Sequence, residues 1–275
     1  MLSSRVTPVL ENHEFMWIKD YLYKHAGIVL TDNKHALVSG RLDNRVRSLG
    51  LSSYSEYFRL LGKPGCELET LMAIDLLTTN ETYFFREPKH FDFLKNQIFP
   101  QHPAGQHLRI WSAASSSGEE AYTLAMIVAE YAKTSQWEIV GTDISTRILE
   151  KARNGLYPMS ASEKIPMQLL KKYCLKGKNE RDGFFIIDSV LRSRVKFIYA
   201  NLIEQLPDIG SFDIIFLRNV MIYFDSRTKQ RLLERIQCYL RAGGYFIISH
   251  SENLNGMQSD LNMISPSIYR KIGYE

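Results

Sequence analysis

The chain has 275 residues, 45% hydrophobic and 23% charged, an ordinary globular composition with room for one large domain or two smaller ones. Its net charge of +4 is a mild bias toward acidic partners and falls short of a nucleic-acid binder's. No apolar run approaches the roughly 18 residues of a membrane helix, the N-terminal stretch lacks a secretory h-region, and Cys66, Cys174 and Cys238 match no zinc site; a monomeric, cytoplasmic protein with free thiols is expected.

Four helical segments come first. "EFMWIKDYLYKHAGIVL" places Phe15, Ile18 and Leu22 near helical spacing and follows them with Gly27, a fitting C-cap. "DNKHALVSGRLDNRVRSLGL" repeats the pattern at Val38, Leu42, Val46 and Leu49, ending at Gly50. "SYSEYFRLLG" has serine capping signals and stops at Gly62, and "ELETLMAIDLLTTN" supplies a fourth helix. An all-α domain over 1–77 is expected, then a linker over 78–106. From about residue 107 the period changes. "HLRIWSA", "WEIVGTDIS", "VKFIYANL", "FDIIFLRN" and "GYFIISHSE" are short continuous apolar runs. Helical segments lie after the first and before the last. Such runs predict strands buried on both faces of a largely parallel sheet, hence an α/β domain over 107–275. "KKYCLKGKNERDGFFIIDS" reads as two short strands about a polar turn, a small β subdomain inserted at about 168–192.

Ligands on such sheets bind beyond the carboxyl ends of the strands. The first strand runs into "SAASSSGEEAY", which has one glycine, Gly118, where a dinucleotide loop has three, and two acids, Glu119 and Glu120. Acids repel pyrophosphate. A phosphate-free adenosine carrying cationic groups suits the loop better, and S-adenosylmethionine is such a molecule. Ser117 with Glu120 three residues on also fits a capping box. Asp143, at the end of the second strand, stands where an acid takes ribose hydroxyls, or else caps the following helix. In "TTNETYFFREPKHF", Phe84 and Phe85 read as packing residues, while Asn80, Thr82 and Arg86 exceed what a linker needs. Arg218 and Asn219 follow a buried strand directly; an arginine there is often a carboxylate's partner, here Asp225 or Glu252. Tyr223, four residues past Asn219, lines the cleft or packs. His250 reads as a structural histidine more readily than a base.

In this order the motifs resemble the CheR family of chemotaxis receptor methyltransferases: Asn80, Thr82 and "FFRE", "WSAASSSGEEAY", Asp143 in "TDIS", Asn201-Leu202, "RNVMIYFD" and "HSEN". The resemblance spans nearly the whole chain. It departs at Ser117 and Ala121, where the family commonly has Thr and Pro. It implies a helical domain joined to a Rossmann-like class I methyltransferase domain with a small antiparallel β subdomain. It also implies methyl transfer from S-adenosylmethionine to receptor glutamates, leaving S-adenosylhomocysteine, without a metal. By motif, Asn80, Thr82, Arg86, Ala113, Glu120, Asp143, Asn201, Leu202, Arg218 and Asn219 would hold the cofactor, with Glu120 at its ammonium and Asp143 at its ribose. Arg86 and Tyr223 would flank the methyl group and substrate. Lys34, Arg41 and Arg45 form one helical stripe, which either solvates the helix or docks the acidic cytoplasmic helices of a receptor. The β subdomain is a candidate dock for a receptor C-terminal tail.

Overall fold

The computed structural model describes residues 8–273. Its contacts divide the chain into two units, one reaching to Thr79 and including Tyr223–Thr228, the other comprising Asn80–Ile222 and the chain from Lys229. No helix among the described residues is long and apolar enough to cross a membrane.

The first unit contains the four expected helices: α1 (Asn12–Ala26), α2 (His35–Ser48), α3 (Tyr54–Leu61) and α4 (Glu67–Leu77). The periodic residues Phe15, Ile18, Leu22, Val38, Leu42 and Val46 are all buried. Gly27 ends α1 in the left-handed region at φ 70°, its N–H donating to the Tyr23 carbonyl, which a β-carbon would disfavour. Ser53 caps α3 by accepting the Glu56 N–H. Two wholly buried tyrosines need polar partners for their hydroxyls: Tyr54 donates to Asp43, and Tyr57 donates to Glu69 Oε1 at 2.7 Å.

Contacts within this unit take up two of the three cations in the stripe along α2 and the turn before it. Arg45 Nε donates to Glu69 Oε1 at 2.9 Å, and its hydrogen bond holds the Glu69 carboxyl below its ordinary range. Arg41 Nη1 donates to the carbonyls of Leu77 and Thr78 at 2.7 and 2.9 Å, satisfying acceptors that the end of α4 leaves open. Arg41 and Arg45 therefore hold α2 to α4 and are not a free basic face; Lys34, just before α2, is exposed.

The second unit is built on a seven-stranded sheet. In chain order the strands of the unit are β1 (Leu108–Ser112), β2 (Trp137–Asp143), β3 (Leu156–Pro158), β4 (Cys174–Lys176), β5 (Phe184–Ile187), β6 (Val195–Tyr199), β7 (Phe212–Leu217), β8 (Leu240–Ile248), β9 (Leu261–Ser265) and β10 (Ile268–Lys271). The large sheet has the order β6-β2-β1-β7-β8-β10-β9, parallel through β8 and antiparallel at β10 and β9. Ile110, Ile139, Ile214, Phe216 and Ile247 lie wholly inside, as continuous apolar strands covered on both faces require. The β9–β10 pair was not expected. Met263 and Ile264 are exposed on this edge strand, so it lacks the alternation that marks a half-buried strand.

The inserted subdomain is a three-stranded antiparallel sheet, β3-β5-β4, with β3 joining the expected pair from outside the polar turn. Where a linker is expected, Pro88–Phe93 forms helix α5 and continues into one wide helical turn, Leu94–Ile98. Phe91, Leu94, Ile98 and Phe99 are buried with the sheet's own core.

Candidate active site

Strands β6, β2, β1 and β7 are parallel neighbours in that order, so their carboxyl ends share one edge. This edge carries Asn201 and Leu202 beyond β6, Asp143 ending β2, Ala113 after β1, and Arg218 and Asn219 after β7. All are buried except Asn219, which is half-buried.

The loop after β1 is anchored at several points. Ser116 sits at φ 48°; its N–H donates to Asp143 Oδ2 at 2.9 Å and its hydroxyl to the Asn80 carbonyl at 2.9 Å. Asp143 Oδ1 accepts the Ser145 N–H at 3.0 Å, while Ser145 itself caps α7 (Thr146–Asn154) by accepting the Ile148 N–H. The cap is thus Ser145, and Asp143 ties two loops together at the sheet edge.

Gly118 begins α6 (Glu119–Tyr131) at φ 95°, and a β-carbon there would lie 3.0 Å from Ala152 Cβ and from Phe197 Cζ. The loop's single glycine serves this turn and this packing. No capping box forms. Ser117 Oγ donates to Glu119 at 2.7 Å, and Glu119 is buried, which raises its pKa against the opposing Ser117 bond. Glu120 instead turns to the sheet edge, accepting from Ser112 Oγ at 2.7 Å and from Arg218 Nη1 at 2.9 Å.

Arg218 is the hub. Besides Glu120, its Nη2 lies 3.2 Å from Glu87 Oε2 and donates to the Arg86 carbonyl at 2.6 Å. The guanidinium carbon lies 5.8 and 6.0 Å from the ring centres of Phe91 and Phe216. Its carboxylate partners are therefore Glu120 and Glu87, and not Asp225 or Glu252. Asp225 belongs to the helical unit, where it accepts the Tyr23 hydroxyl at 2.8 Å. Glu252 receives the backbone N–H groups of Ser249, Asn219 and Val220 at 3.0–3.1 Å, and burial raises its pKa. Asn219, at φ 59°, also donates from Nδ2 to Ser249 Oγ at 2.7 Å.

The segment before α5 reaches this edge through Asn80 and Arg86, as the two carbonyl contacts show. Phe85 and Glu87 both sit at φ 57° and flank Arg86, and the Phe85 N–H donates to Thr123 Oγ1 at 3.1 Å. Left-handed non-glycine residues cost energy and persist where the surroundings fix them, commonly at functional sites. The Arg86 guanidinium donates to the Glu81 carbonyl at 2.9 Å and lies 5.6 Å over the Tyr83 ring. Thr82 is half-buried. Tyr223 groups with the helical unit, its carbonyl accepting the Val29 N–H at 2.8 Å.

Three participants have no role in the sequence reading, Ser112, Glu87 and Ser249, and Glu252 figures there only as an alternative partner for Arg218. Burial alone would raise the Glu87 pKa, but the Ser249 hydroxyl, Arg218 and the His250 N–H outweigh it and hold the carboxyl at about 2. Beside it, burial, Arg218 and His250 push His90 down to about 3. The donor set therefore combines carboxylates at a sheet edge with a loop whose one glycine is spent on packing. It fits a phosphate-free ligand that carries a positive charge.

A family model described as the CheR methyltransferase SAM binding domain matches residues 80–270, and one described as the CheR methyltransferase all-alpha domain matches residues 13–78. Among curated proteins, chemotaxis protein methyltransferase 2 of Pseudomonas aeruginosa is 39% identical over 98% of this chain and 99% of its own length. The chemotaxis protein methyltransferase of Borreliella burgdorferi is 38% identical over 91% of each chain. That of Escherichia coli is 37% identical over 94% of this chain and 90% of its own.

Proposed function

The chain belongs to the CheR family of S-adenosylmethionine-dependent chemotaxis protein methyltransferases, which act on chemoreceptors, and from that premise we propose how its own residues serve the reaction. Asn80, Thr82, Arg86, Ala113, Glu120, Asp143, Asn201, Leu202, Arg218 and Asn219 hold the cofactor. Glu120 takes its ammonium and Asp143 its ribose. The observation that carries this reading is the Glu120 carboxylate, fixed by Ser112 and Arg218 at the sheet edge with lone pairs to spare. When bound, the cofactor supplies an electrophilic methyl group on a sulfonium.

The remaining work is positional. A receptor glutamate is already ionised at neutral pH, so no residue of this chain has to remove a proton. Arg86 orients the incoming carboxylate, restricting water and fixing the line of attack. An arginine locked tightly to the nucleophile would blunt it, and Arg86 is only half-buried.

Calorimetry tests the cofactor assignment. Replacing Glu120 with Gln removes a charged acceptor worth about 1.5–3 kcal/mol, so S-adenosylmethionine and S-adenosylhomocysteine should both bind roughly 10- to 100-fold more weakly. Wild-type affinity in Glu120→Gln would take the ammonium away from this residue.

Of the three cations in the α2 stripe, only Lys34 is proposed to meet the acidic receptor helices. Lys34→Glu is expected to slow receptor methylation at low salt by about twofold to fivefold, with the gap closing as salt rises. Equal rates at low salt would remove Lys34 from the docking surface.

A further inference from the structure

We propose that Glu87, His90 and His250 form a binding site for a zinc-class divalent cation, and that a cation there loosens Arg218's hold on the cofactor edge. Glu87 immediately precedes α5, His90 lies in its first turn, and His250 follows β8. One ligand atom from each falls within 4.8 Å of the others, and the two imidazole centres are 4.4 Å apart.

Three features set this cluster apart from a hydrogen-bonded surface group. First, His90 is 0% exposed and its Nδ1 has no hydrogen-bond partner. A buried polar atom left open in this way calls for an explanation. Secondly, that nitrogen lies 3.5 Å from Glu87 Oε2. Two tetrahedral bonds of about 2.0–2.2 Å span roughly 3.3–3.5 Å between their outer atoms, so the pair is spaced as two ligands of one ion. Thirdly, Ser267 Oγ contacts His90 Nε2 at 2.7 Å and His250 Nδ1 at 3.0 Å. It engages one nitrogen of each ring and leaves the other to ligate, as outer-shell partners of metal-bound histidines do. Ser267 is held at φ 60° to do so, and Ser249 Oγ donates to Glu87 Oε1 at 2.7 Å, steadying the carboxylate. Two imidazoles and one carboxylate are a zinc-type donor set, and exposed His250 gives the ion its way in and a solvent face for a fourth ligand.

Arg218 opposes this site. Its guanidinium is 3.2 Å from the same Glu87 oxygen, so a dication must weaken that ion pair. The other arm of Arg218 holds Glu120. Cation binding and cofactor binding are then linked with opposite sign, and the linkage is reciprocal. This coupling rests on Glu120 as a cofactor residue; the cation site itself does not. The methyl transfer needs no metal in this scheme, and the cation acts as an inhibitor.

The test uses the full chain without an affinity tag. One equivalent of Co²⁺ should give the visible ligand-field bands of a four-coordinate nitrogen–oxygen site, bleached by Zn²⁺. His250→Ala should lose the bands and bind Zn²⁺ at least about tenfold more weakly, and Ser267→Ala should weaken it roughly 10- to 100-fold. In calorimetry, Zn²⁺ should lower S-adenosylmethionine affinity in the wild type and leave it unchanged in His250→Ala. Metal-free His250→Ala should keep wild-type methyl transfer. Absence of the bands, or their persistence in His250→Ala, overturns the site. The expected bands with zinc-indifferent cofactor affinity overturn the coupling through Arg218 and Glu120.

Discussion

Arg86→Ala is expected to abolish methyl transfer while leaving thermal unfolding unchanged. Among the described residues the guanidinium makes one hydrogen bond, to the Glu81 carbonyl, and rests over a half-exposed tyrosine ring, so its removal costs the fold little. The backbone around it is fixed: Phe85 and Glu87 are both left-handed, and the Arg86 carbonyl takes a hydrogen bond from buried Arg218. A side chain with few partners on a strongly held backbone is arranged to meet something outside the chain. Misplacing a reacting carboxylate by about 1 Å can cost on the order of a hundredfold in rate, so kcat should fall by at least about that factor. Turnover near that of the wild type would remove Arg86 from the site.

Arg218→Ala should instead damage both fold and cofactor binding. Arg218 is 5% exposed and lies between two carboxylates, Glu120 and Glu87, at 2.9 and 3.2 Å. Breaking a buried pair by removing one partner costs about 3–5 kcal/mol, because the remaining charge stays without compensation. Here two carboxylates lose their shared cation, so thermal unfolding should shift sharply downward. Glu120 would also lose the contact that aims it, and cofactor affinity should fall with it. If the variant melted as the wild type does and bound S-adenosylmethionine normally, Arg218 would not be the hub described here.

Those two residues mark how far the sequence can be read. Asp143, Arg218 and Asn219 were legible because each follows an apolar run, and an apolar run in an alternating α/β pattern ends at the sheet's ligand edge, whereas Asn201 came from the family motif. The lone glycine of the loop after β1 correctly excluded a pyrophosphate cradle, although its own task is packing against Ala152 and Phe197. What stayed hidden was pairing between distant residues. Arg218 meets Glu87 and Glu120 across 131 and 98 positions of chain, and periodicity carries no information on such distances. The same limit hid the partners of Arg41 and Arg45. Their helical spacing was read correctly, but Glu69 and the carbonyl end of α4 were invisible as partners. At Glu120 it is the capping alternative that fails. A local capping rule fits its spacing from Ser117, and a tertiary ion pair overrides it.

The inferred cation site sits at the junction of these networks, since Glu87 is shared between Arg218 and His90. Four of the six left-handed non-glycine residues among those described, Phe85, Glu87, Ser116 and Asn219, border the same edge. Strain concentrated there is consistent with a preorganised site, where geometry is set before substrate arrives.

The most direct measurement is transfer of labelled methyl groups from S-adenosylmethionine to cytoplasmic fragments of chemoreceptors. Label should appear on receptor glutamates and be released as methanol by mild alkali, since a carboxyl methyl ester is base-sensitive. Label that survives alkali, or that never reaches the receptor fragment, would contradict glutamate methylation at this site.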